Sequence, residues 1–463
     1  MVVFTTPSPQ GGHGWPSVSA RALAQVKEDL PQRVESHVFG YLAEHPEHVW
    51  RARELDPLTL VLLFMTQVLH GNTAITHLRH VAGTTCSAAA YCKARMRLPR
   101  ALLEYVSTQI TTELARDAEG ACRWLGHRVW RADGTSFSMP DTPELQETFG
   151  QHGRQRKGCG FPTASLLVLC DAAGFIVKTL AMPLRTHDAS QITRVYDAMA
   201  PSDVLVYDRA ACSFAHLALL LERNLHGIFR MHQRQIVSFQ PHRKHAAQLP
   251  KGKRTGKPKS EWLRRLGRCD QLVRWFKPSQ RPRWMTAEAY AALPGSLVLR
   301  EHRYKVRRKG FRTRSITIVT TLLDDEKYSA ESLAEQYLDR WQIEVDFRHL
   351  KQTMKMDVLR CKTTDGVLKE LAMFVLVYNL VRQVMFEAAQ QQNVPLDRIS
   401  FIDALRWLWH ASPGQEPTPL IVVPKREGRL EPRVVKRRPK PHRLMTKPRD
   451  ELRQDLKSSR LAA

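Results

Sequence analysis

Tyr337-Leu-Asp-Arg340-Trp341-Gln-Ile-Glu344-Val-Asp-Phe-Arg-His-Leu-Lys351 is the stretch on which the reading of this chain turns. Neither Gly nor Pro interrupts it, and apolar residues return at helical intervals at Leu333, Tyr337, Trp341 and Leu350. The pattern predicts a helix over about 330–355. At about 100° per residue, Tyr337, Arg340, Glu344 and Lys351 fall within roughly 60° of one another. One face of that helix then carries a phenol, a guanidinium, a carboxylate and an ammonium in line. A solvated helix also mixes charges, and an outer face stitched by ion pairs would account for Arg340 and Glu344. It would not account for the aromatic residues in the same row.

Charge is the second guide. The chain has 463 residues, enough for roughly two to four domains, and a net charge of +26. That charge is concentrated. Residues 230–314 hold 24 Lys/Arg against 4 Asp/Glu, and residues 421–463 hold 14 against 5. Two basic blocks on an otherwise near-neutral chain imply a polyanion partner, and double-stranded DNA fits best. A membrane surface fits less well, because neither block reads as an amphipathic helix beside a lipid anchor. The eight cysteines are scattered with no CxxC pair, which argues against a zinc site or a disulfide framework and suits a reducing cytoplasm. The N-terminus lacks a basic region followed by a long apolar core, and the apolar run Leu58–Leu69 is too short to span a bilayer.

Along the chain, residues 1–19 are rich in Pro, Gly and Ser and are expected to be disordered. Residues 20–118 read as helical, with Lys93, Arg97 and Arg100 at helical spacing, either a basic surface helix or one that docks on phosphates. From 119 to 231 the pattern becomes α/β. Val129–Phe137 reads as a strand carrying Asp133, Ala164–Met182 as a hairpin, and Ala189–Met199 as a helix. Asp203–Asp208 is a short apolar run of the kind buried in a parallel sheet, followed by a helix over Ser213–Arg223 and a strand over Gly227–Met231. Residues 232–314 read as a basic, β-rich insertion: a mobile loop over 234–259, then strands near 271–276 and 296–306. Residues 315–417 resume with a strand at Ser315–Leu323 and then helices, and 418–463 form a basic tail, extended around 434–443.

The spacing Tyr337-x2-Arg340-x3-Glu344-x6-Lys351 resembles the YREK signature of bacterial insertion-sequence transposases of the DDE type, and Trp341 fits their Arg-Trp-x2-Glu form. The resemblance implies an RNase H-like catalytic core, interrupted here by the β-rich insertion, and makes Glu344 the last of three catalytic carboxylates. Asp133-Gly-Thr and Asp208-Arg209 resemble the family's two aspartate motifs. The 136 residues between Asp208 and Glu344 match the subgroup with a strand-rich insertion at that point. Asp133, Asp208 and Glu344 would hold two Mg²⁺ ions, with Mn²⁺ as a substitute, because phosphodiester chemistry needs one oxygen deprotonated and another stabilised in line. Asp171, Asp188 and Asp346 compete less well: the first suits a hairpin turn, the second an N-cap, and the third lies about 200° from Glu344 on a helix.

The resemblance further implies nicking of transposon ends, attack by the freed 3′-OH to form a hairpin, its opening by water, and joining to target DNA. Tyr337, Arg340 and Lys351 would grip phosphates near the terminal inverted repeat, and Trp341 would contact a displaced base. Lys93, Arg97 and Arg209 would add DNA contacts, and a homodimer would bridge two ends. In the insertion, Trp262 and Trp284 are weak candidates for a second wall of the base pocket, while Trp275 reads as core. A metal-dependent nuclease without strand transfer, and a non-catalytic DNA-binding relative, remain the rival readings.

Overall fold

The computed structural model describes residues 17–50, 54–232, 235, 237–242, 258–305, 315–410, 419–423 and 445–461. Fourteen helices are found among them: α1 Ser17–Val26, α2 Leu30–Glu44, α3 Pro57–Leu69, α4 Ile75–Ala82, α5 Ala88–Arg97, α6 Arg100–Glu119, α7 Pro143–Thr148, α8 Phe214–Glu222, α9 Ala287–Ala292, α10 Ala330–Asp339, α11 Gln342–Arg348, α12 Thr364–Gln391, α13 Phe401–His410 and α14 Arg449–Leu461. The nine strands are β1 Val129–Ser138, β2 Thr163–Asp171, β3 Ile176–Pro183, β4 Val204–Tyr207, β5 His226–Arg230, β6 Ser260–Gly267, β7 Asp270–Phe276, β8 Ser296–Lys305 and β9 Ser315–Thr320. Two compact units result: Met1–Ile110 with Thr353–Lys355 and Leu368–Val422, and Thr111–Gln352 with Met356–Val367 and Val423–Ala463.

The first unit is helical and built on α3. Asp56 caps it by accepting the Thr59 N–H at 2.7 Å, Pro57 supplies the first turn, and every residue of the helix but Thr59 is buried. So apolar a helix must be enclosed on all sides. Its one buried amide, Gln67, is satisfied by donors from Tyr91 at 3.1 Å and Arg95 at 2.9 Å, and by its own donation to Asn72 at 3.2 Å. On α5, Lys93 and Arg97 are both exposed. Of the described helices only α12 has the length and apolar composition to cross a membrane, and nearly all of its most apolar stretch is buried inside the protein.

The second unit is a nine-stranded sheet in the order β3-β2-β1-β4-β5-β9-β8-β7-β6. The antiparallel β1–β3 meander followed by β4 and β5, each parallel to its neighbour, is the RNase H-like core. The insertion does not form a separate lobe. Its strands β6, β7 and β8 run on from β9 and lengthen the core sheet. Alternate residues face opposite sides. Trp130, Ala132, Leu205 and Tyr207 pack with α8, whereas Val129, Val204, Val206 and Ile228 pack with Leu333, Ala334 and Tyr337 of α10. Helices thus cover both faces.

Four expectations are corrected. The helix over 330–355 is not continuous: α10 ends at Asp339, α11 begins at Gln342, and a π-helical turn spans His349–Thr353. The stretch 189–199 winds as 3₁₀ turns, Asp188–Ser190 and Ile192–Ala198, and not as an α-helix. Residues 17–19 belong to α1 and not to a disordered leader, of which residues 1–16 lie outside the described residues. The tail carries α14, while its segment 434–443 and most of the loop 234–259 lie outside the described residues.

Candidate active site

β1 and β4 bring the two aspartates together. Their parallel register pairs Val129 with Val204 and Arg131 with Val206, and two residues further along it sets Asp133 beside Asp208. Neighbouring strands lie about 4.8 Å apart. Both side chains follow Val129 and Val206 onto the sheet face covered by α10. Asp208 directly follows the fully buried β4, where the chain leaves the sheet, and its Oδ1 accepts the Ala210 N–H at 2.6 Å.

The stretch 339–351 crosses over this face and is tied to β1 at three alternate residues. The Arg131 guanidinium lies 3.9 Å from the Asp339 carboxylate, Arg340 Nη1 donates to Asp133 Oδ2 at 2.6 Å, and Lys351 Nζ donates to Thr135 Oγ1 at 3.4 Å. A period-two strand has met a helical segment rung by rung. Between α10 and α11, Arg340, Trp341, Ile343 and Glu344 each donate their N–H to the carbonyl three residues back, at 3.1–3.3 Å. This tight turn re-aims the chain at Arg340 and Trp341.

Arg340 is the hub. It is 7% exposed, and its other arm lies 3.6 Å from Glu344 Oε1. Its charge is held firmly: burial works against the proton, but Tyr337, Asp133, Asp208 and Glu344 together raise its pKa above the ordinary guanidinium value. Burial pushes the Asp133 carboxyl upward. Arg340 and the Gly134 N–H, which donates to Oδ1 at 2.8 Å, pull it back, and the neighbouring charges of Asp208 and Glu344 push it up again. Tyr337 is also raised, chiefly by burial, with Arg340 and Arg230 opposing.

The three carboxylates therefore sense one another, yet among the described residues they do not close into a cluster at metal-ligand spacing. Arg340 lies between two of them. The donor set nonetheless suits a hard cation, being oxygen throughout, with mutual repulsion that a divalent ion would relieve. The Glu344 side chain is 41% exposed.

Each residue singled out in the sequence has a definite place. Tyr337 is buried against the sheet, with its ring 5.8 Å from the Arg340 guanidinium. Trp341 is 51% exposed at the turn, and Arg209 is exposed beside Asp208. Asp346 is buried, apart from the half-exposed Glu344. Asp171 is a turn residue whose Oδ1 accepts the Phe175 N–H at 2.9 Å. Trp275 is core, donating to Glu301 at 2.9 Å, and Trp284 packs against His216 with ring centroids 4.7 Å apart. Trp262 rests on His242 at 4.8 Å. Sequence reasoning missed Arg131, Thr135 and Asp339. The alternation Arg131, Asp133, Thr135 along a strand was the available signal.

Comparison with known proteins identifies relatives of the chain. The model of the transposase DDE domain matches residues 124–380, from just before β1 into α12. The transposase InsG of insertion sequence element IS4 from Escherichia coli K12 is 26% identical over 374 residues, covering 76% of this chain and 77% of that protein. A probable transposase for insertion sequence element IS5377 from Geobacillus stearothermophilus is 36% identical over 89 residues, 19% of this chain and 23% of that one. A piggyBac transposase, in a synaptic complex with hairpin DNA seen by cryo-electron microscopy, aligns over 87% of this chain and 81% of its own with a TM-score of 0.41 and 8% identity. With more than half of its length inside the matched domain, the chain belongs to the DDE transposase family.

Proposed function

We propose that the protein cuts the terminal inverted repeats of its element in a Mg²⁺-dependent reaction and joins the freed 3′ ends to target DNA through a hairpin intermediate. Asp133, Asp208 and Glu344 are the metal ligands in this reading. The observation that carries it is the register that sets Asp133 beside Asp208 under a segment delivering Glu344. Two Mg²⁺ ions, or Mn²⁺ in their place, would lower the pKa of the attacking oxygen and stabilise the leaving one. The chain's own residues do the rest. With Asp133 holding a cation, Arg340 would be free to take a phosphate oxygen, for which its planar fork is suited. Lys351, held on Thr135, and the exposed Arg209 steady the strand on either side. Lys93 and Arg97 contact the duplex from the helical unit, and a homodimer in the cytoplasm brings two ends together.

Trp341 supplies the surface on which a base leaves the stack. Hairpin formation unstacks the terminal pair at a cost of a few kcal/mol, and stacking on an aromatic ring returns roughly 1–3 kcal/mol. An indole half exposed beside the site is placed for that. A gel time course separating nicked, hairpin and joined products is the test. Trp341→Ala is expected to accumulate nicked DNA, and an abasic terminal nucleotide to restore hairpins in part. Hairpins at the wild-type rate would make Trp341 a packing residue, and cleavage without any joined product would favour the nuclease reading.

A further inference from the structure

We propose a second duplex-binding surface on the loop 150–160, which no feature of the cleavage site requires. This rests on the reading of the protein as a DNA-acting enzyme and adds a place where the duplex is held away from the scissile phosphate. The loop leaves α7 and returns to β2. Its root is the Thr163 N–H, which donates to the Gly150 carbonyl at 2.9 Å, on the rung where Thr163 pairs with Ser138. That rung lies five residues along β1 from Asp133. At about 3.3 Å per residue the distance is ~17 Å, close to five base-pair steps of about 3.4 Å.

The loop is built to hold a shape. Gln151 sits inside it, accepting the Gly158 and Gly160 N–H groups at 3.1 and 3.2 Å and donating to the carbonyls of Gln155 and Arg156 at 3.1 and 2.9 Å. From the outside Arg449, at the start of α14, donates to the carbonyls of Gly158 and Gly160 at 3.3 and 3.1 Å and lies 4.0 Å above the Phe161 ring. Gly158 has a φ of +82°, and a side chain there would also press on Pro448 at 3.1 Å. A loop needed only for connection does not call for an amide hub and an arginine clasp.

What this frame presents is positive charge. Arg154, Arg156 and Lys157 are all exposed within four residues, and the Arg185 guanidinium approaches Gly153 from β3's end of the sheet. The acidic residues nearby are engaged elsewhere: Asp141 with Arg449 at 2.8 Å, and Glu144 with the Thr364 N–H at 2.7 Å. Glu451 reaches Arg156 at 3.3 Å, but both side chains are open to solvent, and such a pair yields readily to a phosphate. A rigid cationic loop rooted about half a helical turn of DNA from Asp133 fits a duplex backbone, read by charge and not by sequence.

The test is the triple variant Arg154→Gln/Arg156→Gln/Lys157→Gln of the full chain. Its binding is measured over a salt series to three duplexes: the element's end alone, the end with flanking base pairs beyond the cleavage point, and an unrelated target offered to a pre-cleaved end complex. On the end alone, affinity and nicking should match wild type. On one of the other two, affinity should fall about tenfold or more, with the log–log salt slope shallower by about two to three. The duplex that loses affinity identifies the source of the phosphates, flank or target. Wild-type affinities and slopes on all three would overturn the proposal. So would an equal loss on that same duplex in the charge-conserving Arg154→Lys/Arg156→Lys variant, which would place the effect in loop folding. If the wild-type chain itself binds none of the duplexes, the DNA-processing reading fails first.

Discussion

Arg340 shows how one side chain holds a site together. A guanidinium that is 7% exposed would be costly without partners, and two of the three carboxylates supply them. On the proposed reading, Arg340→Ala and Lys351→Ala should slow steps after the first nick more than the nick itself, since both would grip the strand that must be repositioned. Quantified nicked, hairpin and joined products would show this as a changed ratio. Equal slowing of every step would reduce the pair to support for the fold. His216 offers a second test at this scale. Burial drives its pKa down to about 4, and its ring bridges Ser213 Oγ at 2.7 Å and the Ala189 carbonyl at 2.6 Å. The unfolded chain binds the proton with a pKa near 6.5, so stability is full above about pH 6.5 and falls as pH drops towards 4. The loss should approach about 3 kcal/mol. Unfolding midpoints across that window should fall steeply for wild type and less for His216→Gln, and identical pH profiles would contradict the assignment.

At the scale of elements, strands were easier to read than the helix that decides the function. β1, β2, β3, β4, β5, β7, β8 and β9 all lie where alternation or short apolar runs placed them, because a half-buried strand prints its pairing on its own sequence, whereas β6 was not foreseen. The break at Arg340–Trp341 left no such mark. No Gly or Pro signals it; the turn goes with three contacts to β1, at Asp339, Arg340 and Lys351, that a one-dimensional pattern does not carry. For the same reason the face arithmetic for a single helix placed Arg340 near Glu344 but not on Asp133. The 3₁₀ winding of 188–198 was hidden too, its short apolar period fitting either helix. The insertion's strands are secured by buried charge. Arg300 donates to Asp270 at 2.9 Å and to the Tyr328 carbonyl at 2.6 Å, tying β7 and β8 to the approach to α10. Asp270→Ala would leave that guanidinium buried and unpaired, at a cost of about 3–5 kcal/mol. Denaturant unfolding should register the loss, and a change below about 1 kcal/mol would mean the pair is dispensable.

For the whole molecule, the charge distribution and the sheet tell a consistent story. The insertion's strands β6, β7 and β8 are continuous with the sheet through β9, so the described part of this basic segment shares a platform with the carboxylates. Asp133 and Asp208 were legible as candidates through their resemblance to the family's aspartate motifs, with Asp208 marked also by its place at the end of an apolar run. Arg131 and Thr135 were not, since their significance depends on what lies over the sheet. The account stands or falls on those carboxylates acting as one metal-dependent set. The most direct measurement is nicking of an end-containing duplex in Mg²⁺ by Asp133→Asn, Asp208→Asn and Glu344→Gln, each checked for DNA binding in the same buffer. The account predicts that every one of the three loses cleavage while retaining most of its affinity. Near-normal nicking by any one of them would remove that residue from the site and contradict the central claim.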